Sequence, residues 1–223
     1  MDKLKEIAKK PISIIIFSSI LVFLSNWPPF LAVRSGLFNT DDIIFHFAVA
    51  ISAFLIMFVL PSVIIKFVFH KPLRDFGLCI PNNLKGSIKL SVIAILIAFP
   101  IIFFLSGEES FQKYYEVKQG FGTFLFLTFG AGSIYYFSEE FIFRGILFFG
   151  LWDKLKFHTF WIINLIFSAF HFGKPPLEIF IAFFLGMLFS YLSLKTKSFL
   201  PAALVHLTLA FILNTIITFY PIF

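Results

Sequence analysis

Charge is what this sequence has least of. Only 13% of its 223 residues are Asp, Glu, Lys or Arg, about half the share found in soluble globular domains, so the chain could not cover an aqueous surface. Together with 59% hydrophobic residues and a mean hydropathy of +0.95, this excludes disorder and a soluble globular enzyme. Cysteine is almost missing as well. The lone Cys79 excludes an intramolecular disulfide, C-x-x-C redox chemistry and a cysteine-rich zinc site. Repeats, linkers and low-complexity tails are lacking, which leaves a single integral membrane domain over residues 1–223. Three protease signatures are missing too: H-E-x-x-H, G-x-S-G and an embedded aspartate pair, since Asp41, Asp42, Asp75 and Asp153 all fall between the apolar runs.

What the sequence does have is long hydrophobic runs. A helix rising about 1.5 Å per residue needs about 20 apolar residues to cross the hydrocarbon of a bilayer. Seven runs qualify, at 11–33, 43–65, 87–105, 121–150, 158–173, 177–194 and 198–219. The expectation is an all-α polytopic transmembrane bundle of about seven helices, within a range of six to eight. Pro28-Pro29 interrupts the first run, and Gly130-Ala131-Gly132 offers a hinge in the fourth. Residues 1–10 plus the first run resemble a signal peptide, but Ser25-Asn26-Trp27-Pro28 offers no small-x-small cleavage site, so the segment reads as an anchor.

Basic residues orient the spans. With the N-terminus in the cytoplasm, thirteen of the eighteen fall on the inner side, from Lys3, Lys5, Lys9 and Lys10 to Lys195 and Lys197, and only Arg34, Lys113, Lys118 and Lys174 fall outside. The net charge of +6 is therefore a topology signal, and no nucleic-acid partner is needed to explain it. The expected location is the cell membrane.

Three charges lie where a bilayer penalises them. Glu139, Glu140 and Arg144 stand among Phe, Ile and Leu in residues 137–145, and each such group at the centre of a span costs about 2.5 to 3.5 kcal/mol on insertion scales. Glu140 and Arg144 are four apart with the acid first, the favourable order for an ion pair on one helix face. Glu139 is turned about 100° away and has no local cation. One structural network of all three is the plain reading; a Glu139 free to act as general base is the functional one.

Two of the five histidines join them. Counted from the cytoplasmic end of each run, Glu140 lies about 15 Å deep, His171 about 20 Å and His206 about 12 Å. Three helices thus bring ionisable groups near one level. His70 and His158 read as surface groups, and His46 as interfacial. A glutamate base with two histidines and no nucleophile suits hydrolysis of a peptide or amide bond by activated water, inside a protein-lined cavity. The same Glu139, His171 and His206 could ligate a divalent metal such as zinc, with a position open for water.

These residues resemble the CPBP intramembrane proteases, which include the CAAX prenyl endopeptidases and the bacterial Abi proteins. Glu139-Glu140-Phe141-Ile142-Phe143-Arg144 matches the family's E-E-x-x-x-R, Phe167 to His171 its F-x-x-x-H, and Ser198 to His206 its last motif helix. The motif-bearing core is about 121–219. The resemblance implies a glutamate-dependent endopeptidase acting on a membrane-anchored protein or peptide, with no required cofactor, although metal use by the family has been argued both ways. Carried over, Glu139 is the base, His171 helps hold the water, Glu140 and Arg144 support them, and His206 stabilises the oxyanion. A family member without activity, serving binding or immunity, and a proton- or cation-coupled transporter are the alternatives.

One position departs from the pattern. The family's H-x-x-x-N would place Asn four after His206, where this chain has Ala210. Asn214 is about 12 Å further along the helix than His206. Asn164 is a candidate substitute donor, with an interhelical hydrogen bond as its plain alternative.

Overall fold

The computed structural model describes residues 10–37, 39, 42–115 and 120–220. Lys3, Lys5, Lys9, Asp41 and Lys118, used above, lie outside them. Among the described residues there is no strand, and contiguous helical segments join into eight longer helices, with one 3-10 turn at Leu73–Phe76. In order they are α1 (Pro11–Arg34), α2 (Ile43–Val68), α3 (Leu84–Ser106), α4 (Glu109–Tyr115), α5 (residues 121–155), α6 (His158–Phe170), α7 (Pro176–Thr196) and α8 (Leu200–Phe219). Five of them, α1, α2, α3, α7 and α8, are long and apolar enough to cross a membrane. The sixth helix has 13 residues, about 20 Å of rise. It is too short to cross alone.

Local chemistry explains the boundaries. Asn83 caps α3 by accepting the Gly86 N–H at 2.9 Å, and prolines open α7 and α8, where a missing N–H costs nothing. Contrary to expectation, Pro28-Pro29 does not break α1, which runs through both. Prolines inside membrane helices are tolerated when neighbours satisfy the freed groups. Helix α2 instead relaxes into a wider π turn at Phe54–Val59, directly before Pro61, whose absent N–H leaves the Met57 carbonyl without its usual partner.

Helix α5 has two such π segments. Leu127–Gly132 covers the glycines read as a hinge, yet the helix continues through it, and Phe141–Phe149 begins directly after Glu140 and carries Arg144. Asp153 falls in the helical end of α5 rather than in a loop, with its side chain 91% exposed. No aspartate is embedded among the described residues.

Packing divides the core in two. One apolar cluster joins α1, α2, α5 and α6 through residues such as Leu21, Met57, Phe141, Phe148 and Phe167. The other joins α3, α4, α7 and α8 through Ala98, Leu105, Phe111, Phe189 and Leu209. Outside, Ile16, Phe23, Leu96, Phe103 and Phe180 stay exposed, the face such a bundle offers to lipid. A loop stitch fixes the start of α8. Gly77, at φ 75°, accepts the Phe199 N–H at 3.2 Å, and Ser198 Oγ donates to the Cys79 carbonyl at 2.6 Å. A side chain at Gly77 would strike the Phe149 ring.

Candidate active site

The site lies on the seam between the two clusters. Glu140 and Arg144, both fully buried, pair at 3.2 Å between Oε1 and Nη1. Burying such a pair is favourable only when its remaining hydrogen-bonding capacity is met. Arg144 meets part of it: Nη2 donates to the Gly186 carbonyl at 3.1 Å and to Asn164 Oδ1 at 3.4 Å, and the guanidinium stacks 4.2 Å from the Phe167 ring centre and 5.3 Å from that of Phe189, while Arg144 Nε and Glu140 Oε2 are buried without a hydrogen-bond partner among the described residues. Gly186 is what admits it. A Cβ there would lie 2.5 Å from Asn164 Oδ1 and 3.0 Å from Arg144 Nη2.

The structure brings His206 onto the same carboxylate. Its Nδ1 donates to Glu140 Oε1 at 2.8 Å and lies 4.0 Å from Glu139 Oε2. Glu139 is 3% exposed and has no hydrogen-bond partner among the described residues. The two neighbouring acids therefore differ: Glu140 is bonded to a guanidinium and an imidazole, and Glu139 has the same imidazole at 4.0 Å and makes no hydrogen bond among the described residues.

His171 lies just past the end of its helix, where the run 158–173 had placed it inside. It is the C-cap of α6, so its backbone is already turning and its ring reaches back along the helix. Its Nδ1–H donates to the Phe167 carbonyl at 2.8 Å. A carbonyl can only accept, so this bond puts the ring proton on Nδ1 and leaves Nε2 as an acceptor.

Both histidines line a cavity of about 70 Å³, room for several waters. Its wall is largely apolar, from Ile102, Leu105, Phe111, Ile181, Leu185, Leu209 and Leu213, with Ala210 and Asn214 also facing it. Glu139 is set back from this wall, beside His206. Asn164 is not part of it. Its amide donates to the Phe160 carbonyl at 2.8 Å and to Ser190 Oγ at 3.3 Å, so it is an interhelical tie and has no donor left for an oxyanion.

The sequence reading missed a second polar group on the same wall. Tyr115 of α4 donates to Glu178 of α7 at 2.6 Å, Lys174 donates to the same carboxylate at 2.8 Å, and Glu178 Oε1 lies 3.9 Å from His171 Nε2. Burial holds the Tyr115 phenol well above its ordinary pKa. The only sequence signal was the i,i+4 spacing of Lys174 and Glu178; the third member is 59 residues from the first.

Among the described residues, no group of three or more His, Cys, Asp or Glu side chains is arranged to hold a metal ion. His206 Nδ1 already faces Glu140, and His171 Nδ1 faces a carbonyl.

Fold and site together define an all-helical, multi-pass membrane protein with a buried carboxylate, guanidinium and imidazole cluster opening onto a small cavity. Residues 121–212, which carry that cluster, match the family described as Type II CAAX prenyl endopeptidase Rce1-like. The match agrees with the resemblance seen in the motifs and covers all five residues they single out. No curated protein and no solved structure matches the chain.

Proposed function

We propose that this protein is an intramembrane endopeptidase that hydrolyses a peptide bond of a membrane-anchored protein or peptide, with Glu139 as the base. One observation carries the reading: Glu139 is buried without a hydrogen-bond partner while the adjacent Glu140 is tied to Arg144 and His206. A structural network would have hydrogen-bonded both acids. On this reading α5 also crosses the bilayer and α6 does so together with the turn that follows it, giving seven spans with the N-terminus in the cytoplasm of the cell.

The chemistry follows from the donor and acceptor inventory. Water in the cavity donates one hydrogen to His171 Nε2 and the other to Glu139. Glu139 takes that proton as the oxygen attacks the substrate carbonyl, and the carbonyl oxygen becomes negative. His206, held by Glu140 through Nδ1, turns Nε2 to the cavity and in its imidazolium form donates to that oxyanion. Collapse breaks the C–N bond, and the leaving amine takes the proton from Glu139. No step needs a metal, and cleavage is expected to survive a chelator.

The test is a proteoliposome assay against a panel of lipid-anchored peptides, read by mass spectrometry. The wild-type chain should release a defined fragment, and Glu139→Gln should slow release by about 10² to 10⁴-fold with an unchanged unfolding temperature. Equal rates would refute the assignment. Ala210, on the cavity wall where the family pattern has Asn, favours a second reading as a binding member without activity. Peptide capture without cleavage by the wild type would support it.

A further inference from the structure

Glu178 lies outside all three motifs, yet it is the carboxylate that faces His171. Its Oε1 is 3.9 Å from His171 Nε2, too far for a direct hydrogen bond and close enough for one water between them. Both atoms are acceptors. The His171 proton is on Nδ1, and a carboxylate has none, so direct contact would be repulsive and a water donating to each resolves it. Both residues line the cavity. Glu178 is also held still: Tyr115 donates to both of its oxygens, at 2.6 and 2.7 Å, and Lys174 adds a third bond. Exposure rises along this row, from 6% for the His171 side chain to 14% for Glu178 and 32% for Lys174, so the row runs from the buried site toward the protein surface.

The geometry points to Glu178 as a positioning residue that, with His171, holds the water of the reaction at the entrance of the site. The inference rests on the hydrolase reading above. In this position the water donates one hydrogen to Nε2 and one to Oε1, and its lone pairs turn into the cavity. Moving inward, it keeps the His171 bond and exchanges the Glu178 bond for one to Glu139. No bond is made or broken within the water until Glu139 takes its proton.

Two measurements test it. In the proteoliposome assay, Glu178→Met, which removes the acceptor, should lower kcat about tenfold or more with KM unchanged, and Glu178→Gln, which keeps one oxygen, should restore part of the rate. Independently of cleavage, ¹⁵N-histidine NMR of the full chain in nanodiscs should show the Nε2 resonance of His171 displaced in Glu178→Gln, with Nδ1 unmoved. An Nε2 resonance left in place by Glu178→Gln overturns the inference whether or not a substrate is cut. A wild type that cuts while Glu178→Met cuts as fast also overturns it and leaves the Glu139 assignment standing. A wild type that cuts nothing fails the hydrolase reading instead, and the NMR result still decides where the water sits.

Discussion

The region around Arg144 and the region around the cavity are built from adjacent residues and obey opposite rules. On the Arg144 side the guanidinium faces Glu140, the Gly186 carbonyl, Asn164 and two aromatic rings, and every side chain is fully buried or nearly so. On the cavity side, Glu139, set just behind the wall, makes no hydrogen bond, His171 lines the cavity, and the side chains retain a little exposure. On the proposed function, Arg144 and Glu140 are the rigid mount and Glu139, His171 and His206 the working face. His206 belongs to both, because one nitrogen is fixed on the mount and the other faces the cavity.

Breaking the mount should have the largest effect. Arg144→Met leaves the Glu140 carboxylate buried without its cation, and such half-removed pairs cost about 3 to 5 kcal/mol. The chain should accumulate poorly, unfold at markedly lower temperature in detergent, and lose cleavage altogether. Near-normal unfolding would mean that the pair is not what holds the seam.

Next comes the residue shared by both regions. His206→Phe keeps a ring at the position but removes the proposed oxyanion donor, and cleavage should fall about 10² to 10³-fold. The lost bond to Glu140 adds a smaller stability loss, about 1 to 3 kcal/mol, so rate and unfolding temperature both move. In Glu139→Gln only the rate should move. That contrast, read in one assay and one melting series, sharpens the division most directly.

Gly186→Ala disturbs the mount without removing any charge. Its methyl would press on Asn164, Arg144 and Phe167, an overpacking expected to cost about 1 to 3 kcal/mol. Cleavage per folded molecule should change little if Glu139 stands apart from that packing.

The smallest effect is expected at Tyr115→Phe, which removes the hydroxyl from Glu178 and should cost about 1 kcal/mol. It also has a pH signature. The folded phenol is held neutral by burial, above its unfolded pKa. Its contribution is therefore complete below about pH 10 and is lost as pH rises beyond it, because the unfolded state releases the proton first. Alkaline melting curves of the variant should be flatter than those of the wild type.

Much of the mount was legible in the sequence. Glu140 and Arg144 are four apart on one helix, and that spacing sets the pair whatever surrounds it; the π turn that begins at Phe141 does not undo it. Asn164 was harder, since an amide on a helix suits an oxyanion and an interhelical tie equally. Only the positions of Phe160 and Ser190 decided between them. The Tyr115, Lys174 and Glu178 row was legible only in its Lys174–Glu178 spacing. Its members come from α4, a turn and α7, and no periodicity links residues that meet only when α4 folds across the bundle.

Composition and hydrophobic runs by themselves determined that this chain is helical, belongs in a membrane and hides a few charges that lipid could not accept, because the cost of a bare charge or an open peptide group in hydrocarbon is a property of the residue. Which acid is tied and which is left unpartnered, which imidazole nitrogen faces the cavity, and which third carboxylate stands opposite it were decided by tertiary structure alone. Those properties depend on distances of a few ångströms between helices, and residue order along one helix does not set them.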